Sequence, residues 1–182
     1  MDEMVLQAMA KWPNVPACRG WLGLSARGDW CMRDAAAQAS GPFAGAESNA
    51  KSKGSPLRHE ALIAFIGRNY AVDAHGCWYF QNGPQRVFVE LEATPWIMRV
   101  LHTESGWEVR THTGKQVQPA QALCDEEGRV YLAGDWGVGL VHTADTVVVA
   151  EAIEQGVWPL AEVQAQDLPA RFGFVLSPER QA

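Results

Sequence analysis

Three stretches of this chain share one small design: an Asp or Ser, two small or polar residues, a Gly, and then an apolar run. They read Ser25-Ala26-Arg27-Gly28-Asp29-Trp30-Cys31-Met32, Asp73-Ala74-His75-Gly76-Cys77-Trp78-Tyr79-Phe80 and Asp125-Glu126-Glu127-Gly128-Arg129-Val130-Tyr131-Leu132. Each follows a short apolar segment: Leu22 to Leu24, Tyr70 to Val72, and Leu123 to Cys124. An Asp or Ser at the start of a turn accepts a hydrogen bond from a backbone N–H two residues on. A Gly three residues later takes positive φ without a Cβ clash, as a bulged hairpin loop needs. Aromatic and β-branched residues then suit a pleated, half-buried surface. The chain therefore reads as a set of β-hairpins, and glycines 48 and 52 residues apart make an internal repeat.

Other signals fill the spaces between the turns. Residues 2–11 read as a short helix with Met4, Val5, Ala8 and Met9 on one side, stopped by Pro13. Residues 35–55 are rich in Ala, Ser, Gly and Lys, a composition that buries too little apolar surface to offset its ordering entropy, and Phe43 is their one anchor. Ser55-Pro56 has the form of an N-cap and first helical residue, and Leu57, Ala61, Leu62, Phe65 and Ile66 follow at helical spacing up to Asn69. From Ala71 to Gln118 strand follows strand, with turns at Asn82-Gly83, Gly106 and Gly114. Gly134, Gly137 and Gly139 suggest a bulged or kinked strand. Thr146-Val147-Val148-Val149 argues for a strand, whereas Asp145 as cap and Gly156 as terminator argue for a helix, and the balance leans to helix. Leu160 to Gln166 and Phe172 to Leu176 read as closing strands.

The expected fold is α+β, mainly antiparallel meander and hairpins, with two or three short helices. The expected organisation is a helix and first hairpin (1–34), a flexible loop (35–55), a helix plus meander (56–118), a second β-rich half with one helix (119–176), and a frayed tail (177–182). The repeats suggest two similar halves meeting near residue 118.

Charge narrows the partners. Residues 1–115 carry 12 basic and 11 acidic side chains, residues 116–182 carry 3 and 10, and no stripe of Lys and Arg forms a nucleic-acid footprint. No apolar stretch is long enough to span a bilayer, the acidic Met1-Asp2-Glu3-Met4 is unlike a secretory signal, and the expected setting is cytoplasmic. Cys18, Cys31, Cys77 and Cys124 stand singly, as free and mostly buried thiols in a reducing compartment would.

Tests for chemistry return little. Gly23-Leu24-Ser25-Ala26-Arg27-Gly28 fails the spacing of a nucleophile elbow. His75 and Cys77 share a turn without an evident orienting group. Pairing about the turn at Glu104 to Gly106 sets His102 opposite Glu108 or Val109, too far from His112 for a shared metal, and both histidines read as surface residues. Glu90 and Glu92 read as acids on the solvated side of a sheet. No catalytic residue, metal site or cofactor is assigned. The densest polar group is Arg68, Asn69 and Tyr70 after the helix, with Gln81, Asn82, Gln85 and Arg86 at the second hairpin tip. Amides and guanidinium groups on a rigid turn suit recognition of a carboxylate, a phosphate or a peptide backbone. Their other role is to tie the helix end to the turn.

At these residues the chain resembles a known group. Phe65-Ile66-x-Arg68-Asn69-Tyr70, Asp73-x-x-Gly76-x-Trp78-x-Phe80-Gln81-Asn82-Gly83-Pro84-Gln85-Arg86-Val87 and Glu92-x-Thr94-Pro95-Trp96 resemble short uncharacterised proteobacterial proteins. Trp12-Pro13-Asn14-Val15-Pro16 and Gly20-Trp21-Leu22-Gly23-Leu24 fit the same likeness. The layout of a Gly-Trp hairpin, a helix and a second Asp-x-x-Gly hairpin is similar to the domain-of-unknown-function 1285 family. That resemblance implies a β-rich fold of repeated motifs with a link to signalling, and it carries no site residues. The expected function is a non-catalytic module that binds a small ligand or a protein in regulation. The alternatives are a small hydrolase using carboxylates or His75 and Cys77, and a structural protein that oligomerises through its sheet edges.

Overall fold

The repeated turns close in one way. The backbone N–H of Ser25 donates to the Asp29 carbonyl (2.9 Å) while the Asp29 N–H donates to Ser25 Oγ (3.1 Å). Asp73 and Cys77 repeat this pair at 3.0 and 2.9 Å, and Asp125 and Arg129 at 3.0 and 2.8 Å. The glycine in each sits at φ +84°, +79° and +76°, in the left-handed region that a Cβ would strain. A fourth turn, Thr111-His112-Thr113-Gly114-Lys115, closes identically, with Thr111 Oγ1 accepting from Lys115 N at 3.2 Å and Gly114 at φ +84°.

The structure, a computed structural model, describes residues 1–181 and divides into two units. The first holds Met1–Ser25, Asp29–Ala93 and the chain from Phe174; the second holds Ala26–Gly28 and Thr94–Gly173. Residue 118, expected as the meeting point of two halves, lies inside the second unit.

The first unit contains α1 (Glu3–Lys11), β1 (Cys18–Leu24), β2 (Trp30–Met32), α2 (Ala35–Ala39), β3 (Ser55–Pro56), α3 (Glu60–Arg68), β4 (Tyr70–Val72), β5 (Trp78–Asn82) and β6 (Gln85–Leu91). Its sheet runs in the order β3-β2-β1-β6-β5-β4, antiparallel except where β1 meets β6. Alternation places Leu22, Leu24, Trp30, Tyr70, Phe80, Val89 and Leu91 on one face, all buried. Helix α3 covers that face with Ile66 and with Phe65, whose ring meets Phe80 edge-on at 5.5 Å. The helix begins at Glu60 with His59 Nδ1 accepting from Leu62 N, because Ser55 and Pro56 pair with β2 instead of starting a helix.

Segment 35–55, read as a flexible loop, carries α2 and a close net of hydrogen bonds. Its centre is Arg33, 1% exposed, which donates to the carbonyls of Ser52 (2.7 Å), Gly20 (3.0 Å) and Gly41 (2.8 Å). Ser52 Oγ donates to the Pro42 carbonyl, and the Phe43 ring lies so close beneath Gly23 that a Cβ there would stand 2.4 Å from it. Within the expected tail, 177–182, Glu179 N donates to the Glu90 carboxylate as Pro178–Gln181 forms a 3-10 turn, and Ala182 lies outside the described residues. Just before it, Val175 N donates to the Gly76 carbonyl and Leu91 N to the Leu176 carbonyl.

The second unit contains β7 (Trp96–Thr103), β8 (Gly106–Thr111), β9 (Gln116–Val117), β10 (Gln121–Cys124), β11 (Val130–Gly134), β12 (Gly137–Val141), α4 (Thr146–Glu154), β13 (Leu160–Glu162) and α5 (Leu168–Phe172). Its sheet order is β13-β10-β11-β12-β7-β8-β9. Met98, Val100, Val109, Ala122, Leu132 and Val141 form its core with Val149 and Ala152 of α4. The glycines at 134 and 137 end and start the strands of a hairpin, not a kinked strand, and Phe172 ends a helix, after which 173–176 run as turn and irregular chain rather than a strand. The fold class is α+β with two mostly antiparallel sheets, and five short α-helices where two or three were expected.

The two sheets share one topology. Each contains two three-stranded meanders, β1–β3 with β4–β6 and β7–β9 with β10–β12, and the second adds β13 parallel to β10. In each, the first strand of the first meander lies parallel to the last strand of the second, β1 to β6 and β7 to β12. Register makes the correspondence residue by residue: Tyr79 faces Phe88 six residues after Asp73, and Tyr131 faces Leu140 six residues after Asp125.

Candidate functional site

The expected polar group does not come together as one site. The guanidinium of Arg68 meets the Asp2 carboxylate at 3.2 Å and holds its pKa below the ordinary carboxylate value. Asn69, 1% exposed, accepts from Asp2 N (2.7 Å) and donates to the Phe65 carbonyl (2.9 Å), so both residues tie the end of α3 to the N-terminus. Tyr70 is buried between Trp30 and Trp78, with ring centroids at 5.1 and 4.7 Å. Gln85 donates to the Pro16 carbonyl, and Asn82 is exposed at the rim of a cleft of about 230 Å³ lined by Trp21, Met32, Leu62 and Phe80. Only Gln81 and Arg86 remain on the opposite face of the sheet, directly across from each other in register.

That face carries the least settled chemistry of the unit. Tyr79 and Phe88, cross-strand neighbours, pack edge-on at 6.0 Å and are buried. The Arg86 guanidinium lies over the Tyr79 ring at 4.8 Å and that of Arg19 over Phe88 at 4.4 Å. Such contacts stabilise by about 0.5 to 2 kcal/mol, and they leave the in-plane N–H groups of a guanidinium free to donate. Among the described residues no carboxylate pairs with either arginine. Arg19 Nε is sealed from water without an acceptor, and so is the Oε1 of Gln81 without a donor, although Gln81 Nε2 donates to the Gly83 carbonyl. Arg19 reaches this place because β1 is irregular between Cys18 and Leu22, where three residues of β1, Arg19 to Trp21, stand against one of β6, Phe88. Bulges of this kind re-aim side chains beside functional sites.

Sequence reading singles out Arg86 but not Arg19. The position of Arg19 depends on the parallel pairing of β1 with β6, a contact between segments nearly seventy residues apart that no local pattern announces. The one available signal is the interruption of alternation at Arg19-Gly20-Trp21, with Gly20 at φ +78°.

Two further hollows, of about 520 and 440 Å³, each carry a single carboxylate among their lining residues. One of them, about 520 Å³, is lined by Met32, Ala36, Ala37 and Ser40 with the carboxylate of Asp34, which caps α2 by accepting from Ala37 N at 2.8 Å. Burial, with Asp73 adding to it, pushes the Cys77 thiol above its ordinary pKa, the opposite of what an activated nucleophile needs. Glu90, expected in solvent, is buried; burial raises its pKa, while Ser177 and the Glu179 N–H support the charge. Glu92 pairs with Lys53. His102 faces Trp107 rather than Glu108 or Val109 and stacks on it at 4.2 Å. His112, expected at the surface, has an enclosed ring whose Nδ1 accepts from Ile97 N, and burial pulls its pKa down to about 3. No group of three residues that could hold a metal ion occurs among those described, and no helix among them is long and apolar enough to cross a membrane.

Comparison with known proteins places the chain. The family model described as Protein of unknown function (DUF2946) matches residues 1–179, and the chain belongs to that family. Two solved structures are similar to it, and both are of DUF1285 family proteins. The one from Shewanella baltica OS155 is 16% identical, with TM-score 0.46 over 72% of this chain and 91% of that one. The one from Silicibacter pomeroyi DSS-3 is 12% identical, with TM-score 0.47 over 83% and 84%. Their family is the one that the hairpin layout resembles. No curated protein matches.

Proposed function

We propose that this protein is a non-catalytic binding module whose binding surface is the Arg19–Tyr79–Phe88–Arg86 face of the first sheet. The observation that carries this reading is the pair of guanidinium groups, each resting on a ring and neither facing a carboxylate among the described residues. In the second unit, by contrast, Arg99 is paired with Asp145 and Arg129 with Asp125. The hydrolase alternative has less support, because its carboxylates and thiol are engaged in caps, ion pairs or burial. Assembly through sheet edges is also less supported: β3, β4, β9 and β13 are two or three residues long, and short edges are a common way to blunt pairing.

The test is a comparison of what wild type and Arg86→Ala retain from a cell lysate, with folding of both checked by circular dichroism. The expected outcome is a ligand or partner held by wild type and lost from the variant. Identical, empty lists would contradict the reading.

A further inference from the structure

The same face suggests the chemistry of its ligand, an inference that rests on the binding-module reading. The second sheet supplies an internal reference. At the positions equivalent to Tyr79, Phe88, Arg86 and Gln81 it carries Tyr131, Leu140, Val138 and Ala133. Opposite Leu140, where the first sheet has the irregular stretch with Arg19, it has Ile97 in regular register. Val138 and Ile97 are each 1% exposed, whereas Arg86 is exposed and Arg19 half-buried. One topology is thus closed with aliphatic side chains in one sheet and left with two cations and a bulge in the other. Packing does not require the arginines, since the second sheet is built without them.

We infer that Arg19 and Arg86 together hold an oxyanion, a phosphate or carboxylate group of a small molecule, above the Tyr79–Phe88 platform. Guanidinium is the side chain best matched to such groups, because its planar N–H pairs meet two oxygens at once, and resting on a ring fixes its orientation before the ligand arrives. Arg19 Nε is closed to a water-sized group, so an oxygen would be met by the terminal guanidinium N–H groups of the half-buried Arg19 and the exposed Arg86. The rings below exclude water from one side and strengthen the charge-assisted bonds.

The experiment is calorimetric titration of the full chain with inorganic phosphate, with citrate, and with neutral glycerol, on wild type, Arg86→Gln, Arg19→Lys and Val138→Ala. Saturable binding of phosphate or citrate but not glycerol is expected. Arg86→Gln should weaken it by roughly 10- to 100-fold, the scale of a lost charge-assisted hydrogen bond. Arg19→Lys, which keeps the charge but not the fork, should weaken it by less. Val138→Ala, in the second sheet, should leave it unchanged. Tighter binding of phosphate than citrate assigns the phosphate source, and the reverse the carboxylate source. Equal weakening in Val138→Ala, or no saturable binding of either anion, overturns the oxyanion inference. If the lysate comparison still separates wild type from Arg86→Ala in that case, the module reading stands and its ligand has a different chemistry.

Discussion

The two sheets solve the same topology with different interiors. In the second unit every buried charge is matched: Asp145 takes the Arg99 guanidinium and the Val100 N–H, and Asp125 takes Tyr131, Arg129 and two backbone N–H groups. Burial works against the ionised form of Asp125, but those hydrogen bonds outweigh it and hold its pKa below the ordinary value. In the first unit Arg33 donates to three carbonyls and pairs with Glu179, Glu90 has its pKa raised by burial, and Arg19 and Gln81 each keep one polar atom unpartnered. Unsatisfied buried groups cost stability, and a fold retains them where they serve something other than packing. The contrast teaches that one topology tolerates an aliphatic face in one sheet and a cationic face in the other.

The comparison can be broken hardest by exchanging its defining residues. Val138→Arg would bury an unpaired cation in the second sheet, and an expected loss of about 4 kcal/mol in urea unfolding reports a closed interior. A loss under about 1 kcal/mol would mean that the two faces tolerate charge equally. Arg33→Met removes the hub of segment 35–55 and leaves three carbonyls without their donor. It should cost about 3 kcal/mol by the same measurement and speed proteolysis between Ala44 and Lys53. Unchanged proteolysis there would show that the segment is held by something other than Arg33.

Protons sharpen the comparison because one buried group in each unit, Glu90 and His112, responds to pH with opposite sign. His112 has a pKa of about 3 in the fold against about 6.5 when exposed. The unfolded chain therefore binds its proton first, and the stability contributed by the neutral ring, present above about pH 6.5, is lost at up to about 1.4 kcal/mol per pH unit as pH falls toward the folded value. Glu90 has a raised pKa, so its contribution is present below the unfolded carboxyl value and is lost as pH rises through the folded one. Glu90→Gln should raise the urea midpoint at neutral pH, and His112→Asn should flatten the acid limb. Variants with both limbs unchanged would contradict these environments. The smallest stability effect is expected of Arg86→Val, within about 0.5 kcal/mol of wild type, since the side chain is exposed and its counterpart in the second sheet is already Val138.

The hairpins were legible in the sequence because their causes are local: a side-chain acceptor, a left-handed Gly, an apolar run. The turn at Thr111 to Lys115 was read only as a turn at Gly114, because Thr supplies the hydroxyl there in place of Asp or Ser. Helix α4 was also legible and stops before Gly156 at φ +74°, although the Asp145 carboxylate makes no capping hydrogen bond and serves Arg99 and Val100 N instead. The parallel contacts of β1 with β6 and β7 with β12 were not, since they join segments far apart in the chain, and with them went the true duplication and the place of Arg19. Composition misled at 35–55 because a single buried arginine outside the segment orders it. Arg68 and Asn69 stood out as polar residues at a helix end, and they act there as the tie to Asp2.

The most direct measurement follows the arginine side-chain Nε–Hε signals of the full chain by nuclear magnetic resonance while inorganic phosphate is added. Saturable shifts confined to Arg19 and Arg86, with Arg99 and Arg129 of the second sheet unmoved, are the result predicted. Shifts that grow linearly and equally over all arginines would show screening by salt and no site, and would contradict the account.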